Sequence, residues 1–248
     1  MYNLLNNSSN IKKSLNEIIP YGLEFYGDEY KYLLYKLITH SYFYEWTDEN
    51  LSNIYSKLTK IYNSEILSDL DKNQDFIDGM YLSNSKQAFI IVKSKHDKDL
   101  FSANLAHEFL GHGMCGLENA IIFKGDNVYK RNGITYADLK TGERFDVLAN
   151  EGFIEGIALD IMNLKIKDFY KKNPSYVNGQ KIYNAVKECY GKDEIIKLMV
   201  YGKKNIKDFY NVNTKLDEWD IITNNIKNEK LVNENVKSFV KRFNQTIN

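Results

Sequence analysis

One short segment constrains this chain more than any other: residues 107–112, with the sequence His-Glu-Phe-Leu-Gly-His. It places two imidazoles and one carboxylate close together on a predicted helix, just before a glycine-rich break. Two histidines and a glutamate on one helical face are typical of a catalytic zinc site, in which the histidines stand at i and i+4. The segment therefore predicts a metal site.

The spacing of the two histidines requires a departure from regular helical geometry. His107 and His112 stand at i and i+5, which lie about 140° apart around an ideal α-helix, whereas i and i+4 lie about 40° apart. A single-turn π-bulge accommodates one extra residue, and Gly111 and Gly113 give the backbone the freedom to form one. Alternatively, His112 lies just past the end of the helix and reaches back.

A third metal ligand is predicted in residues 150–155, Asn-Glu-Gly-Phe-Ile-Glu, which open a second helical pattern. Glu151 is the candidate carboxylate ligand. Glu155 lies one turn further along the same face, where it can accept the second N–H of a ligating histidine. Two histidines and one carboxylate leave zinc an open position for water, which is the catalytic arrangement. One zinc ion per chain is therefore predicted.

The two motifs together, His-Glu-x-x-x-His at residues 107–112 and Glu-x-x-x-Glu at residues 151–155, resemble the paired motifs of the dipeptidyl peptidase III family. The segment Asn-Glu-Gly-Phe around Glu151 is also similar to the ligand-bearing segment of the wider gluzincin metallopeptidases. The resemblance implies a zincin-like catalytic domain with the same three zinc ligands and with Glu108 as general base. It also implies a supporting role for Glu155. It is confined to the motif region, so dipeptide specificity is not implied.

The composition is that of an ordinary globular chain. Hydrophobic residues make up 43% and charged residues 27% of the sequence, which excludes general disorder, and no apolar run approaches the ~20 residues that span a bilayer. The 33 basic residues balance the 33 acidic ones, so net charge favours neither nucleic acid nor a membrane as partner. Residues 1–10 lack the apolar core of a secretory signal, so a cytoplasmic location is predicted, with export by another route left open.

Helical periodicity dominates both ends of the sequence. Residues 9–70 are predicted to be helical, with an interruption at Pro20 and a new helix that begins at the N-cap Thr47. Residues 80–95 instead predict a β-hairpin, and Asp97 is the predicted N-cap of the zinc helix. Three more helices are predicted near the C-terminus, over Ile182 to Tyr190, Glu194 to Tyr201 and Leu231 to Phe243.

These elements predict an α+β fold, mostly helical, in which a small β-hairpin or sheet lies beside the zinc helix. An edge of that hairpin could pair with extended substrate, or it could simply be a buried strand. Gly152 and Gly156 are predicted to let the second ligand-bearing helix approach the zinc helix closely. The whole chain is predicted to be one metallopeptidase unit, residues 1–248, with a helical lobe at 1–75, a metal-site core at 76–172 and a second helical lobe at 173–248.

Hydrolysis of peptide bonds, with a peptide or protein as substrate, is the predicted function. Zinc can lower the pKa of a bound water to about 7, and Glu108 would accept the proton of that water and pass it to the leaving amine. Candidates for stabilising the oxyanion or holding a substrate terminus are Tyr136, Arg144 and Arg131. Cys115 is a less favoured metal ligand.

Two other functions remain open. One is a non-catalytic metal-binding or interaction protein on a peptidase scaffold; the other is an effector- or toxin-type endopeptidase specific for one sequence. The sequence does not indicate exo- or endopeptidase action, the cleavage sequence or the oligomeric state.

Overall fold

The computed structural model describes most of the chain. The described residues are 2–4, 8–47, 56, 58, 78–83, 87–116, 121–124, 127–142, 144–145, 147–169, 176–201 and 227–247. The chain divides into two compact units, residues 1–113 and residues 114–248. Their boundary lies inside the segment 76–172 that the sequence assigns to the metal-site core.

The first unit combines helices with a mixed four-stranded sheet. Its described elements are β1 (Asn3–Leu4), α1 (Ser9–Tyr26), a 3-10 turn (Asp28–Tyr30), α2 (Lys31–His40), β2 (Ser41–Trp46), β3 (Gly79–Ser83), β4 (Ala88–Lys93), α3 (Lys98–Leu105) and a π-helix (Ala106–Gly113). The strand order is β1-β2-β4-β3. Strand β2 runs parallel to β1 and β4, whereas β3 runs antiparallel to β4. This places β3 at one edge of the described sheet.

The predicted hairpin is confirmed, as is the Asp97 cap of the helix that leads to the two histidines. Strands β3 and β4 pair antiparallel, with Gly79 opposite Val92 and Ser83 opposite Ala88. Asp97 caps α3, because its side chain accepts hydrogen bonds from the main-chain N–H groups of Asp99 and Leu100, at 2.9 and 3.1 Å. The chain thus passes from the β4 strand straight into the helix that carries the predicted metal ligands.

Two predictions within residues 9–70 are wrong. Helix α1 continues through Pro20, which lies on its exposed side, while buried residues before and after the proline keep the helix packed. Residues 41–46 form strand β2 instead of a helix. Four of these six residues are aromatic, and aromatic side chains favour a pleated, half-buried surface once a neighbouring strand is present. The helix predicted to begin at Thr47 falls on residues outside the described ranges.

Strand β2 has apolar neighbours on both of its faces. On one face Tyr44 and Trp46 join Phe89 and other residues in a buried cluster. On the other face, the ring of Phe43 meets the ring of Phe109 edge to face at 5.0 Å. Packing on both faces explains why this segment is a strand at the centre of the unit.

The second unit combines an antiparallel sheet with four longer helices among its described residues. Its elements are α4 (Met114–Gly116), β5 (Ile121–Lys124), β6 (Asn127–Asn132), β7 (Thr135–Asp138), β8 (Arg144–Phe145), α5 (Val147–Lys165), α6 (Val177–Tyr190), α7 (Lys192–Tyr201) and α8 (Glu229–Ile247). The four strands follow one another in sequence order. The three predicted C-terminal helices are confirmed as α6, α7 and α8.

The glycines of helix α5 lie at a close contact between two helices. A Cβ atom added to Gly152 would lie 2.2 Å from the Cα atom of Gly179, and one added to Gly156 would lie 2.4 Å from the ring of Tyr183. Both partners belong to α6. The glycines therefore allow α5 to approach α6 closely, and their predicted role beside the zinc helix stays a prediction.

The described elements make the chain an α+β protein with small sheets. In the part of the chain that the structure describes, no helix has the combination of length and hydropathy that a membrane crossing requires.

Candidate metal centre

The segment that carries the two histidines is π-helical from Ala106 to Gly113. This confirms the first of the two predicted solutions to the unusual spacing, because a π-helix bonds i to i+5 and so brings positions five residues apart onto one side. The ring centroids of His107 and His112 lie 5.0 Å apart, with the ring planes at 69°. The local backbone therefore aims both imidazoles at the same region.

Neither glycine of this segment has an unusual backbone angle, and Gly113 lies at a close packing contact. Neither Gly111 nor Gly113 is among the residues with positive φ. A Cβ atom added to Gly113 would lie 2.8 Å from the Cδ2 atom of Leu37 in α2. The absence of a side chain at residue 113 thus lets α2 pack directly against the end of the π-helix.

His107, His112 and Glu151 form a group that could hold a metal ion. Each offers one ligand atom, and these atoms all lie within 4.8 Å of one another. Tetrahedral zinc with bonds of about 2.0–2.2 Å would place its ligand atoms about 3.3–3.6 Å apart, so modest side-chain rotation would close the group around an ion. Two imidazole nitrogens and one carboxylate oxygen are a donor set that suits zinc.

Glu108 is buried and packs against the first residue of strand β3. The side chain of Glu108 is 8% exposed. A Cβ atom added to Gly79 would lie 2.7 Å from its Cγ atom and 2.8 Å from its Oε1 atom. Any side chain at residue 79 would therefore displace the carboxylate. Gly79 was not predicted as a site residue, although a glycine at the start of a β-rich segment often marks a close approach.

Strand β3 also contacts the second histidine. The ring of Tyr81 lies nearly parallel to the His112 imidazole, at 10° between planes and 6.2 Å between centroids. Because side chains alternate along a strand, Gly79 and Tyr81 share the face toward the π-helix. Met80 and Leu82 face the opposite way and pack against the aromatic cluster of β2 and β4. This alternation was available in the sequence and could have identified Tyr81.

The main chain of β3 has a defined outward side. The N–H of Lys93 donates to the carbonyl of Asp78 at 2.9 Å, which makes these two residues a hydrogen-bonded antiparallel pair. In such a ladder, alternate residues direct their N–H and C=O groups toward the partner strand and away from it. The main-chain groups of Gly79, Tyr81 and Ser83 therefore point away from β4.

Asn150, the residue before Glu151, anchors the start of helix α5. Its Oδ1 atom accepts a hydrogen bond from the buried N–H of Ile134 at 3.0 Å. Gly133 adopts φ 61°, and a Cβ atom added there would lie 2.3 Å from the same oxygen. The contact with Asn150 thus stabilises the β6–β7 turn and the start of α5 together. No role was predicted for Asn150 from the sequence.

Three other predicted residues remain untested in their roles. Glu155 is 1% exposed and lies one helical turn after Glu151, and its support of a ligating histidine stays a prediction. The backbones of Tyr136 and Arg144 lie in β7 and β8, opposite Phe145 and Ala137. Their side chains are outside what the structure describes, so their oxyanion role also stays a prediction.

Arg131 is a structural residue, contrary to its candidacy for substrate binding. It is 1% exposed. Its guanidinium donates to the carbonyl of Gly133 at 2.7 Å and to those of Met199 and Val200 at 3.4 and 3.3 Å. It therefore satisfies carbonyls in the last turn of α7, where a cation also complements the helix dipole.

Cys115 lies outside the ligand group found among the described residues. It is fully buried. Burial raises the pKa of its thiol to about 12, and the positive charge of Arg131 lowers it by less. Metal binding requires a thiolate, so Cys115 is better suited to packing than to coordination.

Comparison of the chain with protein-family models, with curated proteins and with solved structures found no match.

Proposed function

We propose that this protein is a zinc-dependent metallopeptidase of the zincin type. The observation that carries the proposal is the π-helix, which brings His107 and His112 together and places Glu108 beside them. Helical registers of this kind are uncommon and are frequently found at functional sites. Glu151 completes the set of two imidazoles and one carboxylate.

Each component of the site has its own role in the proposed hydrolysis. When bound, zinc would supply a water of lowered pKa and would polarise the substrate carbonyl. Glu108 accepts a proton from the attacking water and delivers it to the leaving amine. Its side chain lies against Gly79, and proton transfer is favoured when the donor and acceptor are aligned in advance.

The outward side of β3 supports a peptide as the substrate. An extended peptide can add to a sheet edge through main-chain hydrogen bonds, whatever its side chains are. Strand β3 is an edge of the described sheet, and it runs past Glu108 and His112 through its contacts at Gly79 and Tyr81. A peptide on this edge would present its main-chain carbonyls next to the proposed base. Tyr136 and Arg144 remain the candidates for stabilising the oxyanion.

The first experiment separates the base from the metal ligands. Glu108→Gln should keep about one zinc per chain and lose peptide cleavage, because glutamine has the same shape but cannot accept the proton. Asp99→Asn, a matched change at an exposed acid of the preceding helix, should retain both. Zinc content and cleavage of a broad peptide library are the measurements. Near-normal cleavage by Glu108→Gln would refute the assignment.

The second experiment tests the ligand set. His112→Ala and Glu151→Ala should each lose zinc after purification and reconstitution, with the fold checked by circular dichroism. Full zinc occupancy in either variant would remove that residue from the site. Zinc binding by the wild type without cleavage of any peptide would favour a non-catalytic metal-binding protein, and cleavage of one narrow sequence would favour an effector-type endopeptidase.

A further inference from the structure

The end of the π-helix is where the helical hydrogen-bond register changes. In a π-helix each N–H donates to the carbonyl five residues back, and in an α-helix to the carbonyl four residues back. Where a π-helix continues as an α-helix, one carbonyl therefore receives no N–H from the helix. The π-helix ends where α4 begins, at Met114. If the π register ends there, the N–H of Met114 donates to the carbonyl of Phe109, five residues back. The N–H of Cys115 then donates to the carbonyl of Gly111, four residues back. The carbonyl of Leu110 lies between those two acceptors.

Tyr26 donates a hydrogen bond to this same carbonyl. Its phenolic hydroxyl lies 2.5 Å from the carbonyl oxygen of Leu110, in a buried contact between residues 84 positions apart in the sequence. The tyrosine ring is itself 4% exposed and meets the ring of Phe25 edge to face at 5.2 Å. The donor is therefore held in place and shielded from water, which increases the cost of losing the bond.

Helix α1 is shaped to bring Tyr26 to this position. A Cβ atom added to Gly22 would lie 2.9 Å from the Cδ1 atom of Leu110. Gly22 and Tyr26 stand at i and i+4, so they share one face of α1. The same face thus provides space for the Leu110 side chain and a donor for the Leu110 carbonyl.

We propose that Tyr26 is a positioning residue for the metal centre, and that its hydroxyl stabilises the π register by replacing the missing N–H at Leu110. The inference rests on the proposed function, in which His107 and His112 share one metal ion. Without the hydroxyl, the buried carbonyl can regain a donor only if the segment shifts toward the regular α register. That shift would turn the His112 side chain to about 140° from that of His107 around the helix axis.

The test compares Tyr26→Phe with a matched change in the same helix. Ser14→Ala also removes a buried hydroxyl of α1, one that accepts a hydrogen bond from Ser102 at 3.1 Å, but it does not touch the π-helix carbonyl. The probes are Zn²⁺, whose Kd is measured by chelator competition, and Co²⁺, whose visible spectrum reports coordination geometry. Tyr26→Phe should weaken Zn²⁺ binding by about 10–100-fold, the range typical of outer residues that orient ligands, and should change the Co²⁺ spectrum. Ser14→Ala should change neither.

The outcomes separate this inference from the proposed function. A wild-type protein that binds no Zn²⁺ would overturn both. A wild-type protein that binds Zn²⁺, together with a Tyr26→Phe variant of the same affinity and spectrum, would overturn only the role of Tyr26. Equal weakening by Ser14→Ala would also overturn it, because general loosening of α1 would then explain the result.

A suppressor variant keeps the inference testable should Tyr26→Phe fail to fold. Deletion of Gly111 removes the extra residue but no side chain, so the two histidines would stand at i and i+4 in a regular helix with no carbonyl passed over. Adding this deletion to Tyr26→Phe should restore both folding and Zn²⁺ binding. A double variant that remains unfolded would overturn the inference.

Discussion

Replacing Gly152 with alanine should push helices α5 and α6 apart and disturb the residue beside it, Glu151. The added Cβ atom would lie 2.2 Å from the Cα atom and 2.3 Å from the carbonyl carbon of Gly179. Both are backbone atoms, so neither can move aside by a rotamer change. Because carbon atoms in contact prefer about 3.5–4.0 Å, the helices must separate by roughly 1.3–1.8 Å at the crossing.

The expected loss of stability follows from two opposing terms. Overpacking of a core costs about 1–3 kcal/mol, and a clash with backbone belongs at the upper end of that range. Replacing glycine by alanine within a helix returns about 0.5–1 kcal/mol. The net destabilisation should therefore be about 2 kcal/mol, which lowers the Tm of a chain this size by about 4–8 °C.

Thermal unfolding and Zn²⁺ affinity should be measured on the same samples. Gly179→Ala should lower the Tm by a similar amount, since it adds a methyl group to the other side of the same contact. Asn163→Ala, at an exposed position of α5, should change neither quantity. In the Gly152→Ala variant Zn²⁺ binding should weaken as well, because Glu151 moves with its helix. An unchanged Tm in both glycine variants would refute the close-crossing argument.

Three further predictions concern the surroundings of the metal centre. Gly79→Ala should retain zinc but lower kcat by up to about 100-fold, because the added methyl group displaces the Glu108 carboxylate; zinc-replete protein with normal kcat would contradict this. Asn150→Ala should reduce the free energy of unfolding in urea by about 1–3 kcal/mol, since it leaves the buried N–H of Ile134 without its acceptor; an unchanged unfolding midpoint and slope would show that another acceptor serves. Cys115 should resist alkylation by iodoacetamide at pH 8, because burial raises its pKa to about 12 and leaves a thiolate fraction of about 10⁻⁴; labelling should accelerate as the pH approaches that value, and rapid labelling of the native protein at pH 8 would contradict the pKa.

The distorted helix shows how far local sequence can lead. A regular helix cannot direct His107 and His112 to one point, so the spacing alone required either a π-bulge or an early helix end. The structure contains the π-helix. The hairpin and the Asp97 cap were predictable for the same reason, because turn residues, β-forming residues and capping side chains act over a few positions.

Strand β2 and Arg131 show where local patterns mislead. Residues 41–46 were assigned to a helical region, but pairing with β4, whose residues are more than 40 positions away, makes them a strand. The sequence made Arg131 a candidate for stabilising the oxyanion or holding a substrate terminus. Its guanidinium instead donates to carbonyls of α7, almost 70 residues later in the chain. No residue near Arg131 in the sequence indicates this contact.

The sequence by itself determined the donor atoms of this centre and the need for a distorted helix, because side-chain chemistry and helical periodicity are local properties. Only the tertiary structure decided which distant residues contact that helix. The hydroxyl of Tyr26 reaches the Leu110 carbonyl across 84 positions, and Gly79 meets Glu108 through the pairing of β3 with β4. Such contacts join residues that the chain separates widely, so they exist only once the sheet and helices have packed.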